Sequence, residues 1–269
     1  MKRSIRIASM LQDLSGRPSV LFKLQDFCDK YAISKATASE DVSFAAQALS
    51  ESNQGEIITI TGPSGGVKFV PTISPFEAEI IQKMFCERLN DPGRILGGGF
   101  LYTSDIMYDV AFVRDLARIF VTKFKDLESN YVVTVETKGI PLASMVAYML
   151  NLPLVIIRRE PKFSEGSTVS INYFSGPDQR VQKMSIAKRA VTYGTKAIVI
   201  DDFMRGGGSI KGIWEILEEF DIDAVATGLA IVSATPEMKK IDSYMHLVTL
   251  NDVNDNSKSI DILPNVNIF

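Results

Sequence analysis

Two adjacent carboxylates, Asp201 and Asp202, end an apolar run and open a glycine loop in the stretch "AIVIDDFMRGGGSIKG", residues 197–212. An apolar, β-branched run that passes into acids and glycines reads as a strand entering a loop. Apolar residues return at Ile210, Ile213, Trp214, Leu217 and Phe220, spaced as one face of a helix. Ligands of open α/β sheets gather at the carboxyl ends of strands. Gly206, Gly207 and Gly208 let the backbone approach an anion closely, and Ser209 adds a hydroxyl. Successive amides form an anion nest, and the next helix contributes its positive N-terminus. Two carboxylates would repel that anion, so they read as acceptors for a neighbouring diol. A sugar with a 5′-phosphate satisfies both halves. The spacing argues against two rivals. A P-loop needs Gly-Lys-Ser/Thr, whereas Lys211 is followed by Gly212, and a dinucleotide fingerprint does not start with paired acids.

The elements that must hold this loop alternate. "YVVTV" (131–135) is a β-branched run, and "ETKGIPLASMVAYMLN" turns through Gly139 and Pro141 into a helix. "PLVIIRR", "KAIVI" (196–200) and "DAVATGLAIVSA" read as further strands. Such alternation means a mostly parallel sheet with helices on both faces. The segment 165–176, "EGSTVSINYFSG", reads either as a mobile hood over a site or as a hairpin between strands.

The N-terminal part is built differently. Ile5, Ala8, Met10, Leu11 and Leu14 mark one helix, stopped by Gly16-Arg17-Pro18. Leu21, Leu24, Phe27, Cys28 and Tyr31 mark a second. A third, capped by Ser34, buries Val42, Ala45, Ala46 and Leu49. "EIITITGPSGGVKFVP" then shows two β-rich runs about a Gly-Pro-Ser-Gly-Gly turn, a hairpin signal. Helices joined by a tight turn and followed by a β wing form a winged helix-turn-helix pattern. Ser74-Pro75-Phe76-Glu77 is a capping box with Pro at the first helical position, so a new helix starts there. The reading is therefore α/β overall, with a winged-helix unit over 1–73 and a sheet domain over 74–269.

Composition narrows the classes. The chain has 269 residues, 46% of them hydrophobic, and a formal net charge of -3. Residues 1–73 carry eight Lys/Arg against seven Asp/Glu, so bulk electrostatics favour nucleic acid only weakly. Cys28 and Cys86 are too few for a disulfide framework, and no CxxC pair suggests a zinc ribbon. His246 is the sole histidine and sits in "SYMHLVTL", where an ordinary packed or half-exposed position is the favoured reading, so a Ser/His/Asp triad or a multi-histidine metal site is close to excluded. No uncharged run reaches bilayer length. The opening "MKRSIRIASMLQDL" is interrupted by Arg6, Ser9, Gln12 and Asp13, unlike a signal peptide. A cytoplasmic protein without a membrane partner is expected.

"DDFMRGGGS" on a strand-to-helix turn resembles the phosphoribosyl diphosphate (PRPP) motif of type I phosphoribosyltransferases. By that resemblance, Asp201, Asp202, Phe203, Met204, Arg205 and the loop through Ser209 hold PRPP, with Mg2+ as its candidate companion, and Thr137, Lys138 and Gly139 match the loop that carries the pyrophosphate. "GPSGGVKFVP", "NDPGRILGGGFLYTSDI", "TKGIPLA", "EGSTVSINYFSG" and "IDDFMRGGGS", in this order, resemble the purine operon regulator family of Gram-positive-type bacteria. That resemblance implies a winged helix fused to a phosphoribosyltransferase-like domain. It also implies a homodimer that binds promoter DNA and reads PRPP as an effector, without being an enzyme. Phe100, where the family shows Tyr, and Tyr102 join the effector residues. Purine nucleotides, guanosine tetraphosphate included, are candidate competitors. Arg205, Gly206 and Ser209 depart from the usual Lys-Ala-Gly-Gly-Thr. Active enzymes keep Thr or Asp where Arg205 stands, which favours a sensor. The alternatives are an active purine or xanthine phosphoribosyltransferase with an added N-terminal unit, and a winged helix that never touches DNA. For DNA, Lys35, Thr37, Ala38 and Ser39 at the start of the third helix are placed at base edges, and Arg3 and Lys68 at phosphate or minor groove.

Overall fold

A computed structural model of the chain describes residues 1–160, 163–175 and 180–269. Three helices open it: α1 (Arg3–Ser15), α2 (Leu24–Tyr31) and α3 (Lys35–Glu51). Ala32 takes a left-handed conformation (φ 52°) and ends α2, and the Ser34 hydroxyl accepts the Thr37 N–H at 3.2 Å to start α3. This is the expected turn with its expected cap. The antiparallel hairpin β1 (Glu56–Ile60) and β2 (Gly66–Val70) follows as the wing. Leu21, read as part of the second helix, lies ahead of it. Its neighbour Phe22 bridges to Val67, tying the α1–α2 connection to the wing. Met10, Leu14, Phe27, Ala38, Val42, Leu49, Val67 and Phe69 share a core separate from that of the sheet.

One buried ionic cluster locks these helices. Asp41 of α3 is fully buried; Arg6 Nε donates to its Oδ2 at 2.5 Å and Arg3 Nε to its Oδ1 at 2.9 Å. Arg3 also reaches Glu40 at 2.9 Å. Burial alone would raise the Asp41 carboxyl, but the hydrogen bonds from the two guanidinium groups outweigh it and hold it below the usual range.

After α4 (Pro75–Leu89), capped by Ser74 as read, come a small β3–β4 hairpin (Ile95–Gly97, Phe100–Leu101) and the short α5 (Ser104–Met107). Then follow α6 (Val110–Phe124), β5 (Tyr131–Val135), α7 (Ile140–Leu150) and β6 (Leu154–Ile157). The chain continues through β7 (Thr168–Ser175), β8 (Arg180–Ala187), β9 (Lys196–Met204), α8 (Gly208–Glu218), β10 (Asp223–Ser233), β11 (Met245–Asn254) and β12 (Ser259–Pro264). The main sheet has the order β12-β11-β10-β9-β5-β6 and is parallel except at β12. The sequence reading had not foreseen α6, β11 or β12.

Both faces of this sheet are covered, as its near-continuous apolar strands require. Val132, Ile198 and Ile200 pack with α4, α6 and α7, whereas Val133, Ala197 and Val199 pack with α8 and the β7–β8 hairpin. The segment left open between hood and hairpin is, through Ser175, the first strand of that hairpin; residue 176 lies outside the described residues. It is seated on α8: a Cβ at Gly212 would come within 3.0 Å of the Tyr173 ring. His246 is half-buried, with Nε2 2.9 Å from the Thr249 hydroxyl and its pKa lowered by burial.

The Asp41 cluster sets a stability prediction. Removing one partner of a buried ion pair leaves the other uncompensated, so Asp41→Ala should cost about 3–5 kcal/mol in urea unfolding. The folded carboxyl lies below its ordinary value of 3.8, so this stabilisation is complete above that pH and fades as pH falls through the folded value. The deficit of the variant should therefore shrink in acid.

Candidate functional site

The carboxyl end of β9 carries Asp201 and Asp202 at the centre of the sheet, between β10 and β5. Asp201 is 5% exposed and accepts the Asp202 backbone N–H at 2.9 Å. Burial, and then the neighbouring Asp202 charge, raises the Asp201 carboxyl well above its ordinary range. Asp202 is also raised by burial, against the pull of the Lys138 ammonium. A buried acid pair with upward-shifted carboxyls at a strand end is the pattern of a binding site rather than of a stability device.

The β5–α7 loop crosses over this pair. A Cβ at Gly139 would lie 2.4 Å from Asp201 Oδ1 and 2.7 Å from Thr134 Oγ1, so only glycine fits. Thr137 is exposed and the Glu136–Thr137 peptide is cis. Lys138 donates from Nζ to the Thr103 hydroxyl at 3.4 Å.

The glycine loop then turns into α8. Gly207 has φ 81°, a left-handed conformation that an L side chain resists, and forms the N-cap of α8. The Gly206 carbonyl accepts the Lys240 N–H at 2.9 Å, which braces the loop from behind. The first amides of α8, beside Ser209, have no partner within the helix and no side-chain cap, as an anion nest requires. Phe203 is half-buried against the α6 side of the sheet. Met204 is 2% exposed and points into the α8 side, so its side chain is unavailable to a ligand and only its backbone borders the site.

Arg205 makes a contact that the sequence did not suggest. Its Nη2 donates to the Gly99 carbonyl at 3.1 Å and its guanidinium lies 5.2 Å from the Phe100 ring centroid. Gly97, Gly98 and Gly99 all have positive φ (90°, 61° and 72°), and Gly98 N–H donates to Asp255 at 2.8 Å. This turn brings the β3–β4 hairpin to the glycine loop. Phe100 is 59% exposed and Tyr102 44%. The triple glycine at 97–99 was the one sequence signal for this approach. The structure therefore gathers 97–103, 137–139 and 201–209 at one end of the sheet.

The proposed DNA face needs two corrections. Ala38 is fully buried in the winged-helix core, because it continues the inward stripe of Val42, Ala45 and Leu49 back by one turn, so it cannot meet a base edge. Arg3 is engaged by Glu40 and Asp41 and lies over the Phe44 ring at 4.8 Å, so it serves the fold rather than a phosphate. Lys35 and Ser39 are exposed on α3 and Thr37 is half-buried; Lys68 is half-buried on β2, opposite Ile58.

Comparison with known proteins agrees with this division. Residues 2–71 match the model "Bacterial purine repressor, N-terminal", and residues 104–263 match the phosphoribosyl transferase domain. The chain is 38% identical to the purine biosynthesis transcriptional repressor PurR of Bacillus subtilis (strain 168), over 97% of this chain and 92% of that protein. The chain belongs to the PurR family. The relative in Lactococcus lactis subsp. lactis (strain IL1403), named a purine biosynthesis transcriptional activator PurR, is 33% identical over 97% of both chains. The adenine phosphoribosyltransferase of Thermoanaerobacter pseudethanolicus superposes with a TM-score of 0.52 at 17% identity, covering 62% of this chain and 96% of that one. That likeness carries the phosphoribosyltransferase fold of the sheet domain. No helix among the described residues is long and apolar enough to cross a membrane.

The raised carboxyl of Asp201 predicts a stability gain on its removal. The unfolded chain ionises Asp201 at its ordinary value of 3.8, while the folded state resists. Stability is therefore lost as pH rises from that value toward the folded one. Asp201→Asn should melt higher than the parent at pH 7.5, with a smaller gain at pH 5, as measured by calorimetric scans.

Proposed function

We propose that this protein regulates transcription of purine-biosynthesis genes by binding promoter DNA through its winged helix and sensing PRPP in its phosphoribosyltransferase-like domain. The observation that carries the sensor reading is Arg205. Its guanidinium is held by the Gly99 carbonyl and lies near the Phe100 ring, at a position where an enzyme of the family would keep a small polar residue. The acid pair supplies acceptors for the ribose diol, the amides from Gly206 to Ser209 receive the 5′-phosphate, and Thr137, Lys138 and Gly139 face the diphosphate. Among the described residues no three acidic, His or Cys side chains cluster to hold a metal, so any magnesium would ride mainly on the diphosphate oxygens. Purine nucleotides, guanosine tetraphosphate included, share the phosphates and can compete for the same amides.

Relatives named repressor and activator both exist, so the sign of the response is read by experiment. In a gel shift of purine-gene promoter DNA, PRPP should change the affinity. Asp201→Ala and Asp202→Ala should each remove PRPP binding in calorimetry; unchanged affinity in both variants rejects the pocket. Incubation with PRPP and adenine, guanine, hypoxanthine, xanthine, uracil or orotate should form no nucleotide. Robust turnover with any of these bases promotes the enzyme reading.

The module's near-neutral charge sets the DNA prediction. Recognition rests on placed contacts and on a homodimer that presents two winged helices. Lys35→Ala should lower the salt slope of promoter binding by about one unit if it meets a phosphate. Thr37→Ala should relax sequence preference with non-specific binding nearly intact. A wild-type protein that binds promoter and random DNA equally would overturn the regulator reading.

A further inference from the structure

One helix joins the wing to the effector domain. Arg118 of α6 is 9% exposed, and its Nη2 donates to two carbonyls, that of Asn53 and, at 2.7 Å, that of Thr72. Asn53 lies just before β1 and Thr72 just after β2, so a single guanidinium holds both ends of the wing hairpin. One turn further on, the Thr122 hydroxyl accepts the Ile73 N–H at 2.9 Å. Lys125, at the end of the helix, lies 3.3 Å from Glu56, the first residue of β1.

The same helix is built into the candidate pocket. Its N-cap Asp109 follows α5, whose N-cap Thr103 is the acceptor of the Lys138 ammonium. Toward its C-terminal end, the Phe120 ring presses on β10: a Cβ at Gly228 would lie 2.6 Å from it. Gly228 pairs with Ile200, the residue before Asp201. A shift of the loops around Asp201 therefore meets α6 at two points, and α6 meets the wing through Arg118. Core packing does not call for an arginine here, since the adjacent Ala117, Ile119, Phe120 and Val121 are apolar and buried. The Arg118 Nε has no hydrogen-bond partner among the described residues, so the wing carbonyls are the only hydrogen-bond acceptors of its side chain there.

We propose that Arg118 is a positioning residue that transmits occupancy of the Asp201 pocket to the orientation of the wing, and so sets how strongly the effector changes DNA affinity. This rests on the reading of the pocket as a PRPP sensor. Coupling of this kind is a ratio of affinities, typically roughly 5–150-fold in such systems, and it needs an element that both sites bias.

The experiment measures promoter affinity of the full chain with and without PRPP, together with PRPP affinity by calorimetry. In Arg118→Met, PRPP affinity should stay within about twofold of the parent while the PRPP-induced change in promoter affinity falls from the parent's factor to less than about twofold. Arg118→Lys keeps a charged donor but not the fixed planar geometry that aims Nη2 at both carbonyls, so it should restore part of the factor. A merely structural role would lower both affinities together and leave their ratio intact. Thr122→Val buries no charge and cuts the neighbouring strap, so it should reduce the factor in the same direction and decides the matter if Arg118→Met does not fold. A folded Arg118→Met with the parent's factor, or a Thr122→Val with the parent's factor where Arg118→Met is unfolded, overturns the inference. A parent that binds PRPP without any change in promoter affinity also overturns it and leaves the pocket standing. A parent that does not bind PRPP removes the sensor reading itself, and the inference falls with it.

Discussion

The molecule is organised around a conflict at the end of β9, where two adjacent carboxylates are kept in a site that resists their charge. Asp201 is buried in the middle of the sheet, and desolvation and its neighbour both disfavour its ionised form. Such a pair destabilises the fold, and a site that needs it must hold it there by the surrounding packing. The packing is visible. β9 is flanked on both sides by parallel strands, Gly139 brings the next loop against the carboxylate, and Lys138 supplies an opposing charge. On the proposed reading, a ligand that donates hydroxyls to the pair relieves the conflict, so binding energy is realised where the fold is least comfortable.

The two halves of the site answer different charges. Backbone amides at the start of α8 favour an anion, while the carboxylates at the end of β9 exclude one from their own position. On the proposed reading, a ligand that is anionic at one end and rich in hydroxyls next to it satisfies both. The turn from Arg205 to Gly207 separates the two demands, and the left-handed Gly207 makes that turn short. Arg205 sits within it and reaches across to the β3–β4 hairpin, so the segment 97–103 is part of the site although it lies about a hundred residues away in the chain.

The features legible in the sequence were those encoded over short distances. The acid pair, the glycine loop, the amphipathic α8, the Ser34 and Ser74 caps and the wing hairpin all depend on neighbours within a turn or two. Ala38 was misplaced although its signal was present: the stripe of Val42, Ala45 and Leu49 extends back to it by helical spacing. Arg3 was misplaced for a different reason. Its partner Asp41 lies 38 residues away, and nothing local distinguishes an arginine aimed at a phosphate from one that closes a core. The grip of Arg118 on Asn53 and Thr72 was invisible for the same reason, whereas α6 was missed although the helical spacing of Val113, Leu116, Phe120 and Phe124 marked it.

The charge of the winged helix gains a structural meaning from these contacts. Its eight basic residues against seven acidic ones include the Arg3 and Arg6 cluster with Glu40 and Asp41. Setting those two pairs aside leaves six basic against five acidic, and Lys30 is further paired with Asp13 at 2.5 Å. Little positive charge remains for a generalised attraction to DNA, which is the term that makes binding sequence-independent. On the proposed reading, a module with this balance adheres weakly to random duplex and depends on the geometry of a few exposed groups such as Lys35 and Ser39. On the proposed reading, that dependence makes the module controllable. Where affinity comes from placement rather than from bulk charge, a small reorientation of the wing changes it steeply, the more so if the protein binds as the proposed homodimer. The straps from α6 to both ends of the wing lie where such a reorientation would be set.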